Sequence, residues 1–296
     1  MTYRLLFGAL AIVVSSSVPA AESPPAGAEP VDVILVAGQS NAVGFDAKPQ
    51  ELPADPLDRE ILFWWRCGDP PPDEHDSTSA GKWMFLQPQP LGNPQQPRQG
   101  RQYGNFAQPQ GGFGPEIGLA RQLRAKQGPR LAIIKVAFSG TAVHGDWNPV
   151  GEGGECYRAL VAETKAAIAA SSALGVTMRL RGLAWVQGES DANARDSADY
   201  EQALGEMIAA LRKSLDAPDL IVLLAVNTQF GGGRNTFMPK IVEAQKSLAA
   251  KDPRCVYVDT SDAAIANAVH FNAQGTLDVG RRFAEALLKA EEATRK

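Results

Sequence analysis

The stretch VDVILVAGQSN, residues 31–41, decides how this chain is read. Its first part is almost wholly apolar and does not alternate with polar residues. That is the pattern of a strand covered on both faces, as in a parallel sheet. The run stops at Gly38, and Gln39, Ser40 and Asn41 follow at once. In an open parallel α/β sheet, ligands bind outside the carboxyl ends of the strands. A serine hydroxyl directly behind such a strand therefore stands where chemistry is done.

Four further runs have the same character, at 131–136, 180–186, 220–226 and 256–259. Helical stretches separate them. Tyr200, Leu204, Met207, Ile208, Leu211 and Leu215 mark one face of a helix. Ile117, Ala120 and Leu123 do the same behind Pro115, which suits a first turn. Segments 157–173, 237–250 and 273–290 complete the set. Strand and helix alternate throughout, which predicts one α/β domain: a three-layer α/β/α sandwich on a five-stranded parallel sheet.

Composition supports a chain that buries a full core. Hydrophobic residues make up 44% of the 296 and charged residues 21%, with a net charge of −4. No long basic block stands out, which argues against nucleic acid as a partner. The three histidines and three cysteines form no CxxC, HxH or HExxH pattern, so neither a metal nor another cofactor is expected. At the N-terminus, Arg4 and the apolar run from Leu5 to Val14 read as a signal peptide over residues 1–20. Small residues Val18 and Ala20 flank Pro19 at its cleavage site. The run is short for a membrane span. Residues 21–30 read as a linker, and the mature protein as periplasmic or secreted, free of the membrane. Export would put Cys67, Cys156 and Cys255 in an oxidising compartment, where at most one internal disulfide can form.

Residues 45–114 break the rhythm. They hold most of the Pro and Gln and little periodicity, and read as a long loop insertion. Its aromatics either form a small core that pins the loop or stack on sugar rings. Trp64 and Trp65 fit the first role; Trp83 and Tyr103 are candidate substrate-binding residues.

Polar residues collect behind every strand: Ser40; Ser139, Gly140 and Thr141; Gln187, Glu189, Ser190 and Asp191; Asn227; and Asp259, Asp262 and His270. The inventory suits acyl transfer. A serine needs a base to become a nucleophile, and His270 is the histidine behind the last strand. Oxyanion charge needs preorganised donors, which Gly140 can supply from its backbone and Gln187 from its amide. Each has a plainer use. Ser40 can be a helix cap and Glu189 or Asp191 can cap the next helix. Ser139 and His144 are weaker alternatives for nucleophile and base, and His75 lies in an acidic, solvated loop. The GxSxG elbow is absent, because position 42 is Ala.

Five blocks carry a resemblance: Gly-Gln-Ser-Asn at 38–41, Phe-Gly-Pro-Glu at 113–116, Lys-Val-Ala-Phe-Ser-Gly-Thr at 135–141, Trp-Val-Gln-Gly-Glu-Ser-Asp at 185–191 and His-Phe-Asn-Ala-Gln-Gly at 270–275. Together they resemble the sialate O-acetylesterase domain family, which includes carbohydrate esterase family 6 and belongs to the SGNH-hydrolase superfamily. The likeness spans roughly residues 31–290. It implies a flavodoxin-like sheet and a metal-free serine esterase that removes O-acetyl groups from carbohydrates through an acetyl-enzyme. It also implies Ser40 as nucleophile, His270 as base, and an oxyanion hole of the Ser40 N–H, the Gly140 N–H and Gln187.

One position departs from the family. Its Asp-x-x-His is here Asn267-Ala268-Val269-His270. The carboxylate that orients His270 must come from elsewhere, with Glu189 first and Asp191 or Asp262 next, or Asn267 itself orients the ring without charge. That departure and the aromatic loop leave one rival function, a carbohydrate-binding protein on a decayed esterase scaffold; an esterase for non-carbohydrate esters is a second.

Overall fold

The computed structural model describes residues 29–68, 76–91, 110–128 and 130–294. The signal segment 1–20, His75 and Tyr103 lie outside them. β1 (Val31–Gly38) lies at the centre of the sheet. On one side it pairs in parallel with β5 (Leu131–Phe138), which pairs with β2 (Leu62–Gly68). On the other side come β6 (Met178–Val186), β7 (Ile221–Ala225) and β8 (Cys255–Tyr257), all parallel. Two short strands, β3 (Ser77–Thr78) and β4 (Met84–Phe85), pair antiparallel with β2.

Among the described residues the sheet therefore has eight strands rather than five. All five expected strands are present. The sixth parallel one, β2, falls inside the segment read as a loop. Its sequence, LFWWRCG, has two adjacent tryptophans and a buried glycine end. Trp64 enters the core on one face of the sheet and Trp65 the core on the other. These two residues are thus core, as the plainer reading had it.

Alternation along β1 feeds both layers. Val33, Leu35 and Ala37 join the core covered by α3 (Glu155–Ser172), α4 (Tyr200–Ser214) and α5 (Met238–Lys251). Ile34 and Val36 join the core covered by α2 (Glu116–Gln127) and α6 (Ala273–Thr294). Burial on both faces is why the strand reads as a continuous apolar run.

The register brings the chemistry together. Gly38 stands level with Ala137 of β5 and Val186 of β6. The three strands end at one height, so their following turns meet. Gly38 has φ +134°, and a Cβ there would lie 2.1 Å from the Val186 carbonyl oxygen. Only glycine allows that approach. β1 is also where the connections diverge, to β2 and β5 on one side and to β6 on the other, the switch point at which such sheets bind ligands.

Cys67, Cys156 and Cys255 are free and buried, with no disulfide among them. Burial raises all three thiols, Cys67 and Cys255 to about 12. Trp83 is half-buried against Trp64, ring centroids 5.7 Å apart, and its indole N–H donates to the Ala167 carbonyl of α3 at 3.1 Å. Its ring is thus engaged with β2 and its polar tip with α3, a structural use for the residue expected to bind sugar.

Candidate active site

Behind β1 the chain makes one tight helical turn, α1 (Ser40–Val43), closed by Gly44 at φ +82°. Ser40 begins that turn, so its N–H has no partner within the helix. The left-handed Gly44 reverses the chain and carries Phe45 and Asp46 back toward the same edge. Beneath the turn, Lys135 of β5 is wholly buried. Its Nζ donates to the Val43 carbonyl (2.8 Å), to Gln89 Oε1 (2.7 Å) and to Glu116 Oε1 (3.1 Å). Glu116 also accepts from the Gly114 N–H at 2.8 Å and from the Gln89 amide at 3.1 Å. The charged residues of the second and third sequence blocks thus lock the floor of the Ser40 turn.

Asn41 joins Ser40 to His270. Its Oδ1 accepts from the Phe271 N–H at 3.0 Å and its Nδ2 donates to the Val269 carbonyl at 3.2 Å. The neighbour of Ser40 therefore grips the chain on both sides of His270. The Asn227 amide, behind β7, donates to the same Val269 carbonyl at 2.9 Å. The Phe45 ring lies against the imidazole, centroids 4.9 Å apart.

The carboxylate on His270 is Asp46. Its Oδ2 lies 2.6 Å from His270 Nδ1, and both side chains are largely buried. Asn267 serves this pair from the side. Its Nδ2 donates to the same Asp46 oxygen at 2.8 Å, and its Oδ1 accepts from the Val269 and His270 N–H groups at 2.9 and 3.0 Å. The three carboxylates expected at His270 are committed elsewhere. Glu189 Oε1 accepts from the Asn41 amide at 2.8 Å and the Asn227 N–H at 3.0 Å. Burial raises its carboxyl above the ordinary range, and those hydrogen bonds, with the nearby His270, only partly oppose this. Asp191 does orient a histidine, but it is His144, whose Nδ1 lies 3.0 Å away. Asp262 is exposed and paired with Arg282 at 2.6 Å, which holds its carboxyl low.

Gln187 also departs from expectation. Its Nε2 donates to the Thr141 carbonyl at 3.0 Å and to Asp191 Oδ2 at 2.5 Å, while its Oε1 accepts from the Tyr200 hydroxyl at 3.1 Å. Both amide hydrogens are spent, so the side chain fixes the turn behind β5 instead of offering a donor to the cleft. That turn is tied at every corner. Ser139 N–H donates to Gly68, Thr141 Oγ1 to Phe138, and Val143 N–H to Asp191. At its crest Gly140 is exposed with φ +70°, and a Cβ there would meet nothing within 4 Å. The position favours glycine for its left-handed backbone and presents a bare N–H on a rigid turn.

Sequence reasoning missed Asp46. A signal existed, since Gly44 behind a one-turn helix marks a chain reversal, and an Asn at 267 leaves a histidine in need of an acid. Among the described residues no group of three or more His, Cys, Asp or Glu side chains is placed to hold a metal ion. No described helix is long and apolar enough to cross a membrane.

A largely parallel α/β sheet thus brings a serine turn, a histidine–carboxylate pair and a glycine turn to its switch point. The sequence model of the family described as "carbohydrate esterase, sialic acid-specific acetylesterase" matches residues 30–289, and the chain belongs to that family of carboxylic ester hydrolases. Among curated proteins no sequence matches it. Solved structures share the fold. A protein from Arabidopsis thaliana aligns with a TM-score of 0.64 at 19% identity, covering 88% of this chain and 99% of its own. NanS aligns at 0.58 and 18%, covering 89% and 98%. A carbohydrate acetylesterase from Xanthomonas citri aligns at 0.59 and 19%, covering 88% of this chain and 56% of its own.

Proposed function

We propose that this protein is an exported serine esterase that removes O-acetyl groups from carbohydrates, with Ser40 as nucleophile and His270 as base. The observation that carries the reading is the Asn41 bridge, which holds the Ser40 turn and the His270 segment together across 230 residues of chain. With Nδ1 turned to Asp46, His270 presents Nε2 as the nitrogen that takes the Ser40 proton. Ser40 Oγ attacks the acetyl carbonyl and a tetrahedral oxyanion forms. The N–H groups of Ser40 and Gly140 are its donors, and the rigidity of the Gly140 turn supplies preorganisation. The protonated imidazole then gives its proton to the departing sugar alcohol. Water, deprotonated by His270, hydrolyses the acetyl-enzyme and releases acetate.

The carbohydrate half of the proposal rests on family membership, and export rests on the signal-like N-terminus. The rival reading as a binding protein drew on Asn267 and on the aromatic loop. Asn267 is engaged in holding a carboxylate on His270, and Trp83 packs on α3. Neither feature favours loss of catalysis.

The test is acetate release from a chromogenic acetyl ester and from a panel of acetylated glycans, with Ser40→Ala as control. The wild type should turn over both, and Ser40→Ala should be inert. Turnover by wild type no faster than by a well-folded Ser40→Ala would overturn the proposal.

A further inference from the structure

We infer that Asp46, six residues behind the nucleophile, supplies the negative charge that orients His270, with Asn267 as its holder. This deepens the esterase reading and rests on it. Position 267 carries no charge, yet the His270 ring is not left without a carboxylate. Asp46 Oδ2 meets Nδ1 at 2.6 Å, at the short end for a hydrogen bond between a ring N–H and a carboxylate. The Asn267 amide donates to that same oxygen at 2.8 Å, so two donors converge on it and fix its place. Asn267 meanwhile keeps the local job of its position, accepting from the N–H groups of Val269 and His270. Its side chain thus faces the backbone with its oxygen and Asp46 with its nitrogen. An Asp at 267 would turn a second carboxylate on Asp46, so the amide and the relocated acid are complementary. The route to this placement is short. One helical turn and the left-handed Gly44 bring Asp46 back beside Ser40, while Phe45 lies on the imidazole face.

Asp46 acts through His270 and is a positioning residue. As Ser40 attacks, its proton moves to Nε2 and the ring becomes an imidazolium. Asp46 accepts the Nδ1 hydrogen throughout, fixes the tautomer, and stabilises the cation without taking the proton. Glu189 lies close enough to His270 to feel its charge, but its hydrogen bonds go elsewhere. Its carboxylate is buried against Asn41 and Asn227, where it secures the segments that carry Ser40 and His270.

The test compares Asp46→Asn, Asn267→Asp and the double variant Asp46→Asn/Asn267→Asp on one small acetyl ester, with thermal unfolding as a check of folding. Asp→Asn in a serine-protease triad lowers kcat on the order of 10⁴. Asp46→Asn should lower kcat by at least about 100-fold with KM within roughly threefold. The double variant returns one carboxylate to the cluster, with an amide opposite it, and should recover at least about tenfold over Asp46→Asn. Asn267→Asp alone should not exceed wild type. The inference fails if Asp46→Asn keeps near-wild-type kcat, if Asn267→Asp alone accelerates the enzyme, or if a folded double variant shows no recovery. An inert Ser40→Ala beside an unaffected Asp46→Asn would overturn this inference alone. An active Ser40→Ala would overturn the esterase reading beneath it.

Discussion

Replacing Lys135 with Met tests the floor of the active site. Lys135 and Glu116 are both wholly buried, 3.1 Å apart, and Lys135 also holds the Val43 carbonyl and Gln89. Desolvation offsets much of what the intact pair contributes, but breaking it leaves a buried carboxylate without its cation. Such losses cost about 3–5 kcal/mol. Glu116 would keep its bonds from Gly114 and Gln89, which places the expected cost toward the lower end. At about 2–4 °C per kcal/mol for a chain this large, a cost of about 3 kcal/mol should lower Tm by roughly 6–12 °C. The double variant Lys135→Met/Glu116→Gln removes the stranded charge. It still leaves the Val43 carbonyl without its donor, a penalty of about 1–3 kcal/mol, so it should be more stable than the single variant. Urea unfolding of wild type, single and double variants measures both differences. A cost under about 1 kcal/mol for Lys135→Met, or a double variant less stable than the single, would refute the claim that charge pairing under the Ser40 turn holds it in place.

Glu189 sets a pH signature. Its native carboxyl lies above the unfolded value of about 4.3, so the folded state holds a proton that the unfolded state releases, and stability falls as pH rises from there through the native value. Glu189→Gln should flatten this slope in urea unfolding between mildly acidic and neutral pH; an unchanged slope would show that the buried carboxyl carries no such cost. Trp83→Ala should lower stability by roughly 1–3 kcal/mol through lost packing on Trp64 and α3, with KM unchanged for both a small acetyl ester and an acetylated polysaccharide. A rise in KM confined to the polysaccharide would restore the platform role. Cys67 and Cys255, buried and raised to about 12, should resist iodoacetamide at pH 8 until denaturant is added, read by mass spectrometry; labelling of either in the native protein would contradict its burial.

Much of this protein is legible in one dimension. Periodicity alone locates five strands and their helices, because a strand buried on both faces must be apolar throughout and a surface helix must carry a stripe. The turn residues Ser40, Gly140 and His270 are also legible, since each follows a strand and the sheet can gather strand ends only at its carboxyl edge. β2 was hidden because an aromatic pair and Arg66 mask its apolar character. Gln187 and Glu189 lie behind β6, but their hydrogen-bond partners are not legible in the sequence. Which way a side chain points there depends on partners such as Asp191, Tyr200 and Asn227, brought in by other elements. The decisive case is the acid on His270. Asp46 and His270 are 224 positions apart, and no local pattern links them. Sequence determines that a histidine lacking its neighbour's charge needs another acid. Only the tertiary structure decides which, because a hydrogen bond exists or fails within a few tenths of an ångström, and that distance is set by the turn at Gly44 and the clamp of Asn41 together.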